Sequence, residues 1–180
     1  MEPASRKAAL APWEGLRKLL AGSFSARPEG LITPRFALLD RDGGEFGRLH
    51  VHGLEGADLD AGPLRVRIER VAPSRHAMLT GDAETLVAEP ARSSAALKIS
   101  CAGRPYDARF YPLRNVAAAR TPGGTEAARV RGGFARRGYE ALFDADDERS
   151  LPVAVFLLYH AVSLRRRIFL AGRSLRSRPP

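Results

Sequence analysis

His50 and His52 stand two residues apart, so on a strand they project from one face and offer two imidazoles to a metal ion. No cysteine or third histidine lies near them, and Asp58 and Asp60 come after a turn, so the pair reads as an ordinary exposed strand face. Cys101, the only cysteine, sits in a turn beside Gly103 with no motif to activate its thiol. His160 lies in an apolar run where a charge would be costly, which predicts a neutral, hydrogen-bonded core histidine. Asp144, Asp146, Asp147 and Glu148 cluster just before that run, but their spacing lacks the central Gly and distal Glu of an EF-hand loop. There is no Gly-x-Ser-x-Gly, no phosphate loop ending in Gly-Lys-Ser/Thr and no His-Glu-x-x-His, and the glycine pairs at 43–44, 123–124 and 132–133 do not open helices. The expectation is a protein that is not an enzyme, with no catalytic residue, metal site or cofactor.

The basic side chains remain. Net charge is +9 and the pI about 10.7, which predicts attraction to polyanions, either nucleic acid or an anionic membrane surface. Of 29 basic residues, only Lys7, Lys18 and Lys98 are lysine, an arginine bias that a GC-rich coding sequence also produces. Arg65, Arg67, Lys98, Arg109, Arg129, Arg131, Arg136 and Arg137 fall on outward strand positions if their apolar neighbours face a core, and they are the candidate lipid-binding residues. Near an anionic leaflet each contributes about 1 kcal/mol, so four to six on one face would give useful, salt-sensitive binding. Strand order decides whether they share a face. A scattered, solubilising distribution has the same composition.

Nucleic acid binding would draw on the same charge but needs exposed aromatics for base stacking. Only Tyr106 to Tyr111 (YDARFY) hints at this, with Tyr106 and Phe110 expected to face the core. A structural or adaptor role without a small ligand is a third reading.

These side chains must be positioned by elements that the sequence marks out. Residues 1–10 show no pattern and read as disordered; Pro12 to Leu20 reads as a short helix ended by Gly22, with Trp13, Leu16, Leu19 and Leu20 on one face beside Arg17 and Lys18. Such a helix either lies on a membrane through Trp13, Arg17 and Lys18, or docks on its own domain or a partner. From Ser23 to Phe143 short alternating runs are broken by turn residues about every eight to twelve positions, an all-β signal. Arg35–Arg41 and Glu45–His52 flank Asp42-Gly43-Gly44 as a hairpin, and Met78–Thr80 and Thr85–Ala88 flank Gly81-Asp82 as another. Leu64, Val66 and Ile68 alternate with Arg65, Arg67 and Glu69, and Leu97 and Ile99 with Lys98 and Ser100.

Leu151 to Leu164 is a run without a formal charge, apolar all around the helical wheel, so it must be buried or in lipid. Its fourteen residues span roughly 21 Å against about 30 Å of bilayer hydrocarbon. Extending it would place Arg165, Arg166 and Arg167 in the span at about 2.5–3.5 kcal/mol each, so a core helix is the better reading. Ser150 reads as its N-cap, Pro152 as a first-turn residue and Gly172 as its C-terminal cap. A long antiparallel meander followed by one all-apolar helix predicts a mainly β fold, an antiparallel barrel of about 10–12 strands that encloses the helix at 150–171. The domain would run from 23 to 172, after a tail and short helix at 1–22 and before a basic tail at 173–180.

The opening hairpin FALLDRDGGEFGRL, the late strand RGYEALFD and the terminal LPVAVFLLYHAVSL helix together resemble the tubby C-terminal-like superfamily, which includes phospholipid scramblases and LURP-one-related proteins. The resemblance covers roughly residues 24–170 and implies a twelve-stranded barrel around a hydrophobic C-terminal helix. It also implies a lipid-related role, since tubby proteins bind phosphoinositides through basic side chains on the barrel exterior. The acidic segment 144–148 occupies a place similar to the scramblase calcium segment, whereas palmitoylated cysteines and a proline-rich N-terminus are missing. With a single cysteine and no uninterrupted apolar stretch in the first thirty residues, the expected setting is cytoplasmic, at most peripheral at the inner membrane face.

Overall fold

Leu64, Val66 and Ile68 are buried while Arg65 and Arg67 between them are exposed, and this two-residue alternation sets the inner and outer faces of the whole sheet. The computed structural model describes residues 3–30, 34–91, 95–133 and 138–174, with side chains between residues 8 and 165 of those ranges. A helix, α1 (Pro3–Leu20), precedes twelve strands. These are β1 (Ser23–Glu29), β2 (Arg35–Leu39), β3 (Glu45–Val51), β4 (Gly56–Ala61), β5 (Leu64–Ala72), β6 (Arg75–Thr80), β7 (Ala83–Pro90), β8 (Ala96–Cys101), β9 (Arg104–Tyr111), β10 (Val116–Arg120), β11 (Glu126–Gly132) and β12 (Tyr139–Phe143). A second helix, α2 (Ser150–Ser174), follows β12. Each strand pairs antiparallel with the next, and β12 returns to pair with β1 in the register Ser23↔Leu142 to Ala26↔Tyr139, which closes the barrel.

Turn chemistry fixes the registers. Between β2 and β3 the Asp40 carboxylate accepts the amides of Asp42 (2.9 Å) and Gly44 (2.8 Å), and Gly43 takes φ 82°, a conformation that favours glycine. This is the hairpin expected at Asp42-Gly43-Gly44, and the Gly81-Asp82 hairpin is present between β6 and β7.

α2 fills the lumen. From Leu151 to Val162 every residue is buried except His160, which is half-buried with its ring stacked on Phe156. It lies closest to β11, then β10 and β12, whose inner faces carry Ala117, Ala119, Ala128 and Ala141. Those methyl groups leave room for the helix, while Leu49, Leu59, Met78 and Leu86 fill the wider space on the other side. At its far end Tyr159 and Ser163 donate to the carbonyls of Leu54 (3.2 Å) and Gly53 (2.9 Å) in the β3–β4 turn. No helix among the described residues is long and apolar enough to cross a membrane.

Four expectations are corrected. The first helix starts at Pro3, not Pro12, because Ala9 and Leu10 bury against the barrel together with Trp13 and Leu20. α2 runs through Gly172 to Ser174, so Gly172 does not cap it. Ser150 Oγ donates to the carbonyls of Asp144 (2.5 Å) and Asp147 (2.7 Å), and the carboxylate that accepts an amide at this corner is that of Asp147, from Arg149 (3.1 Å). Cys101 is the last residue of β8 and points inward, with its thiol 3.8 Å from the Arg149 carbonyl.

Odd-numbered strands run away from the α1 end of the barrel and α2 runs the same way. One end is therefore occupied by α1 and the loop before α2, and at the other α2 emerges beside the β9–β10 turn.

Candidate functional site

β10 is the centre of a basic outer face. Before Arg120 at its end, its outward residues are short, Val116 and Ala118, whereas the strands on both sides carry long ones. Tyr111 and Arg131 flank Val116 in register, and Arg109 and Arg129 flank Ala118. With neighbouring strands about 4.8 Å apart, the backbones at Arg109 and Arg129 are separated by roughly 9.6 Å across a floor of one methyl group. The result is a trough of about 590 Å³, walled by Arg109, Arg114, Arg120 and Arg129 with Asp107 and Tyr111.

The turn at the head of the trough is tightly built. Pro112–Arg114 forms a single 3₁₀ turn, and Asn115 closes it in the left-handed region (φ 50°) with its amide 3.1 Å from the Pro112 carbonyl. Gly132 on the neighbouring strand leaves room for the Asn115 side chain: a Cβ there would lie 1.8 Å from Asn115 Nδ2 and 2.8 Å from Tyr139 Cε1. Leu113 at the tip is almost fully exposed.

Charge in the trough is unevenly compensated. Arg129 makes a two-pronged contact with Glu126 (2.7 and 2.6 Å), which raises its guanidinium pKa further and lowers that of the Glu126 carboxyl. Arg120 is 4.0 Å from the same carboxylate, and Asp107 is held by Lys98. Arg109, Arg114 and Arg131 have no carboxylate within 4.0 Å among the described residues. The arrangement leaves exposed guanidiniums around a shallow concavity, a geometry suited to anionic groups such as phosphate.

Of the basic residues singled out by alternation, the structure brings together Arg109, Arg129 and Arg131, with Lys98 one strand away on β8. Arg65 and Arg67 are on β5, on another side of the barrel, and are paired with Asp60 and Glu69. Arg136 and Arg137 lie outside the described residues. Arg114, Arg120 and Tyr111 were not among the candidates. Arg120 ends a strand and Arg114 sits in a turn, so neither has the alternating neighbours that mark an outward face.

Of the two readings of the first helix, docking on its own domain is the one seen in the structure. Trp13 is buried, and its indole N–H donates to Thr80 Oγ1 (2.9 Å), which is itself 2.6 Å from Thr85 Oγ1. Arg17 is half-buried and bonds the Ala145 carbonyl, while Lys18 pairs with Glu14 (2.7 Å) on the exposed side. The amphipathic face docks on the barrel's own end, because the open lumen there offers Trp13 both apolar contact and a hydroxyl acceptor.

The two outer histidines sit with ring centroids 4.5 Å apart, and His52 Nε2 is 2.8 Å from Asp58. Desolvation first, then the neighbouring His52 and Arg35, lower the His50 pKa. Among the described residues no group of three or more His, Cys, Asp or Glu side chains is placed to hold a metal ion. The acidic loop before α2 serves the fold: Asp147 is buried, accepts the Tyr106 hydroxyl (2.8 Å) and lies 3.2 Å from Arg104.

No known protein family matches the sequence, and no curated protein matches it. Among solved structures, the X-ray structure of a protein from Arabidopsis thaliana matches with a TM-score of 0.56 at 11% identity, over 81% of this chain and 95% of that one. At that identity the likeness is one of fold.

Proposed function

We propose that this chain is a non-enzymatic barrel of the tubby and scramblase kind that associates peripherally with anionic phospholipid at the cytoplasmic face of a membrane. The observation that carries the reading is the β9–β11 trough, where Arg109 and Arg114 stand without a carboxylate partner among the described residues beside Arg120 and Arg129. At about 1 kcal/mol per basic residue near an anionic leaflet, such a face gives reversible binding that weakens as salt rises. Nucleic acid is the weaker reading. Tyr106 and Phe110 are buried, so YDARFY offers a base only Tyr111 for stacking.

The test is co-sedimentation with anionic and with neutral vesicles at low and high salt, beside a gel-shift assay with single- and double-stranded nucleic acid. The reading predicts pelleting with anionic vesicles alone, lost at high salt. Failure to pellet at low salt contradicts it, and a nucleic acid shift without vesicle binding moves the assignment to that polyanion.

A further inference from the structure

Leu113 is 98% exposed, at the tip of the Pro112–Arg114 turn between β9 and β10. Tyr111, at the edge of the same turn, is 45% exposed. A large aliphatic side chain standing wholly in water at a turn gains nothing for the fold; any polar residue would serve the turn as well. The backbone around it is nevertheless firmly set, by Pro112, by the Asn115 amide on the Pro112 carbonyl (3.1 Å) and by the close fit of Asn115 against Gly132.

Its surroundings indicate what covers it. Arg114 follows in sequence, Arg109 lies just down the trough, and Arg131 flanks Val116 on β11 with Glu140 opposite it on β12; none of the three has a carboxylate within 4.0 Å among the described residues. The turn lies at the barrel end where α2 emerges, and there Arg165 bonds the Gly133 carbonyl (3.3 Å). An apolar tip beside Arg109 and Arg114, which have no carboxylate partner among the described residues, is complementary to a surface with anionic groups outside and hydrocarbon within.

We infer that the β9–β10 turn is an insertion tip, with Leu113 entering the interfacial layer of an anionic bilayer while Arg109, Arg114 and Arg131 engage the headgroups around it. The barrel then docks with its α2-exit end toward the membrane and its α1 end away. This rests on the proposed lipid association and adds to it an anchor and an orientation.

The test places a polarity-sensitive thiol dye on Leu113→Cys and, at the opposite end, on Leu19→Cys, a position 61% exposed. Cys101 is buried, so the wild-type chain is the labelling control. With phosphatidylserine-containing vesicles the dye at 113 should shift to the blue and be quenched by lipids carrying a shallow acyl-chain quencher, while the dye at 19 should not change. Leu113→Ser should weaken partitioning about tenfold without altering its salt dependence. If vesicles pellet the protein but the dye at 113 does not shift, insertion is overturned and the arginine face stands. If vesicles fail to pellet the wild type, the lipid association fails and the tip with it. A blue shift at 113 that appears on raising protein concentration without vesicles also overturns it, by assigning Leu113 to contact between copies of the chain.

Discussion

The Tyr106 hydroxyl donates to the buried carboxylate of Asp147 at 2.8 Å, and this bond ties the middle of β9 to the corner from which α2 turns into the lumen. Arg104 reaches the same carboxylate at 3.2 Å, with its guanidinium 5.7 Å from the Tyr106 ring centroid, and the Arg149 amide donates to it at 3.1 Å, so one acidic side chain collects three neighbours. Tyr106→Phe removes the hydroxyl and leaves the ring in place. It should destabilise the fold by about 1–3 kcal/mol, read as a lower urea midpoint with an unchanged slope.

The lumen position of α2 makes a harsher prediction. Phe156 and Leu157 are buried among strands from all around the barrel, and a carboxylate there has no partner to offset its desolvation. The cost of several kcal/mol is comparable to the whole stability of a domain this size. Phe156→Asp should abolish soluble folding, scored by loss of the cooperative thermal transition. A normally folded Phe156→Asp protein would be incompatible with a helix enclosed by the barrel.

Alkaline pH should weaken the fold in two stages. Burial pushes the Cys101 thiol well above its ordinary 9.0, and burial followed by the Asp147 hydrogen bond and charge does the same to Tyr106 above 10.0; Tyr139 is raised mainly by burial. Each group is therefore neutral in the folded chain and free to ionise in the unfolded one. Their contribution to stability is complete below the unfolded pKa and is lost as pH rises above it, at about 1.4 kcal/mol per pH unit per group. Stability should fall from about pH 9 and more steeply above pH 10. Cys101→Ala should flatten the first part of that decline in urea titrations across pH 8 to 11.

Trp13, the only tryptophan, reports on the docked first helix. Buried and bonded to Thr80, it should emit at short wavelength, shift to the red only on unfolding, and show no change when anionic vesicles are added. A vesicle-dependent blue shift or quenching by lipid-borne quenchers would mean that the helix leaves the barrel for the membrane.

Much of this architecture was visible in residue order because it rests on local rules. Leu64 to Glu69 alternates as a strand with two faces must, Asp-Gly marks the β2–β3 turn, and Leu151 to Leu164 is apolar around its whole circumference. The site was not visible in the same way. Arg65 and Arg109 both lie between apolar neighbours, yet one, on β5, is paired with Asp60 of β4 and the other stands in the trough, and only strand order separates them. Arg109 and Arg129 face each other because β10 carries Val116 and Ala118 outward between them. The beginning of α1 was hidden for a different reason: Ala8 to Ala11 has no polar face to set against an apolar one, and its helix depends on packing of Leu10 and Trp13 at the barrel end.

The most direct test of the arginine face is a pair of double charge reversals that alter net charge equally. Arg109→Glu with Arg114→Glu changes the trough; Arg65→Glu with Arg67→Glu changes a different side of the barrel by the same amount. Measured by co-sedimentation on anionic vesicles at low salt, the first pair should lose binding by a hundredfold or more, as expected from removing and then opposing about 1 kcal/mol at each site, while the second stays within a few-fold of wild type. Equal losses in both pairs would mean that overall charge and not this face does the binding, and full binding by the trough double mutant would contradict the assignment outright.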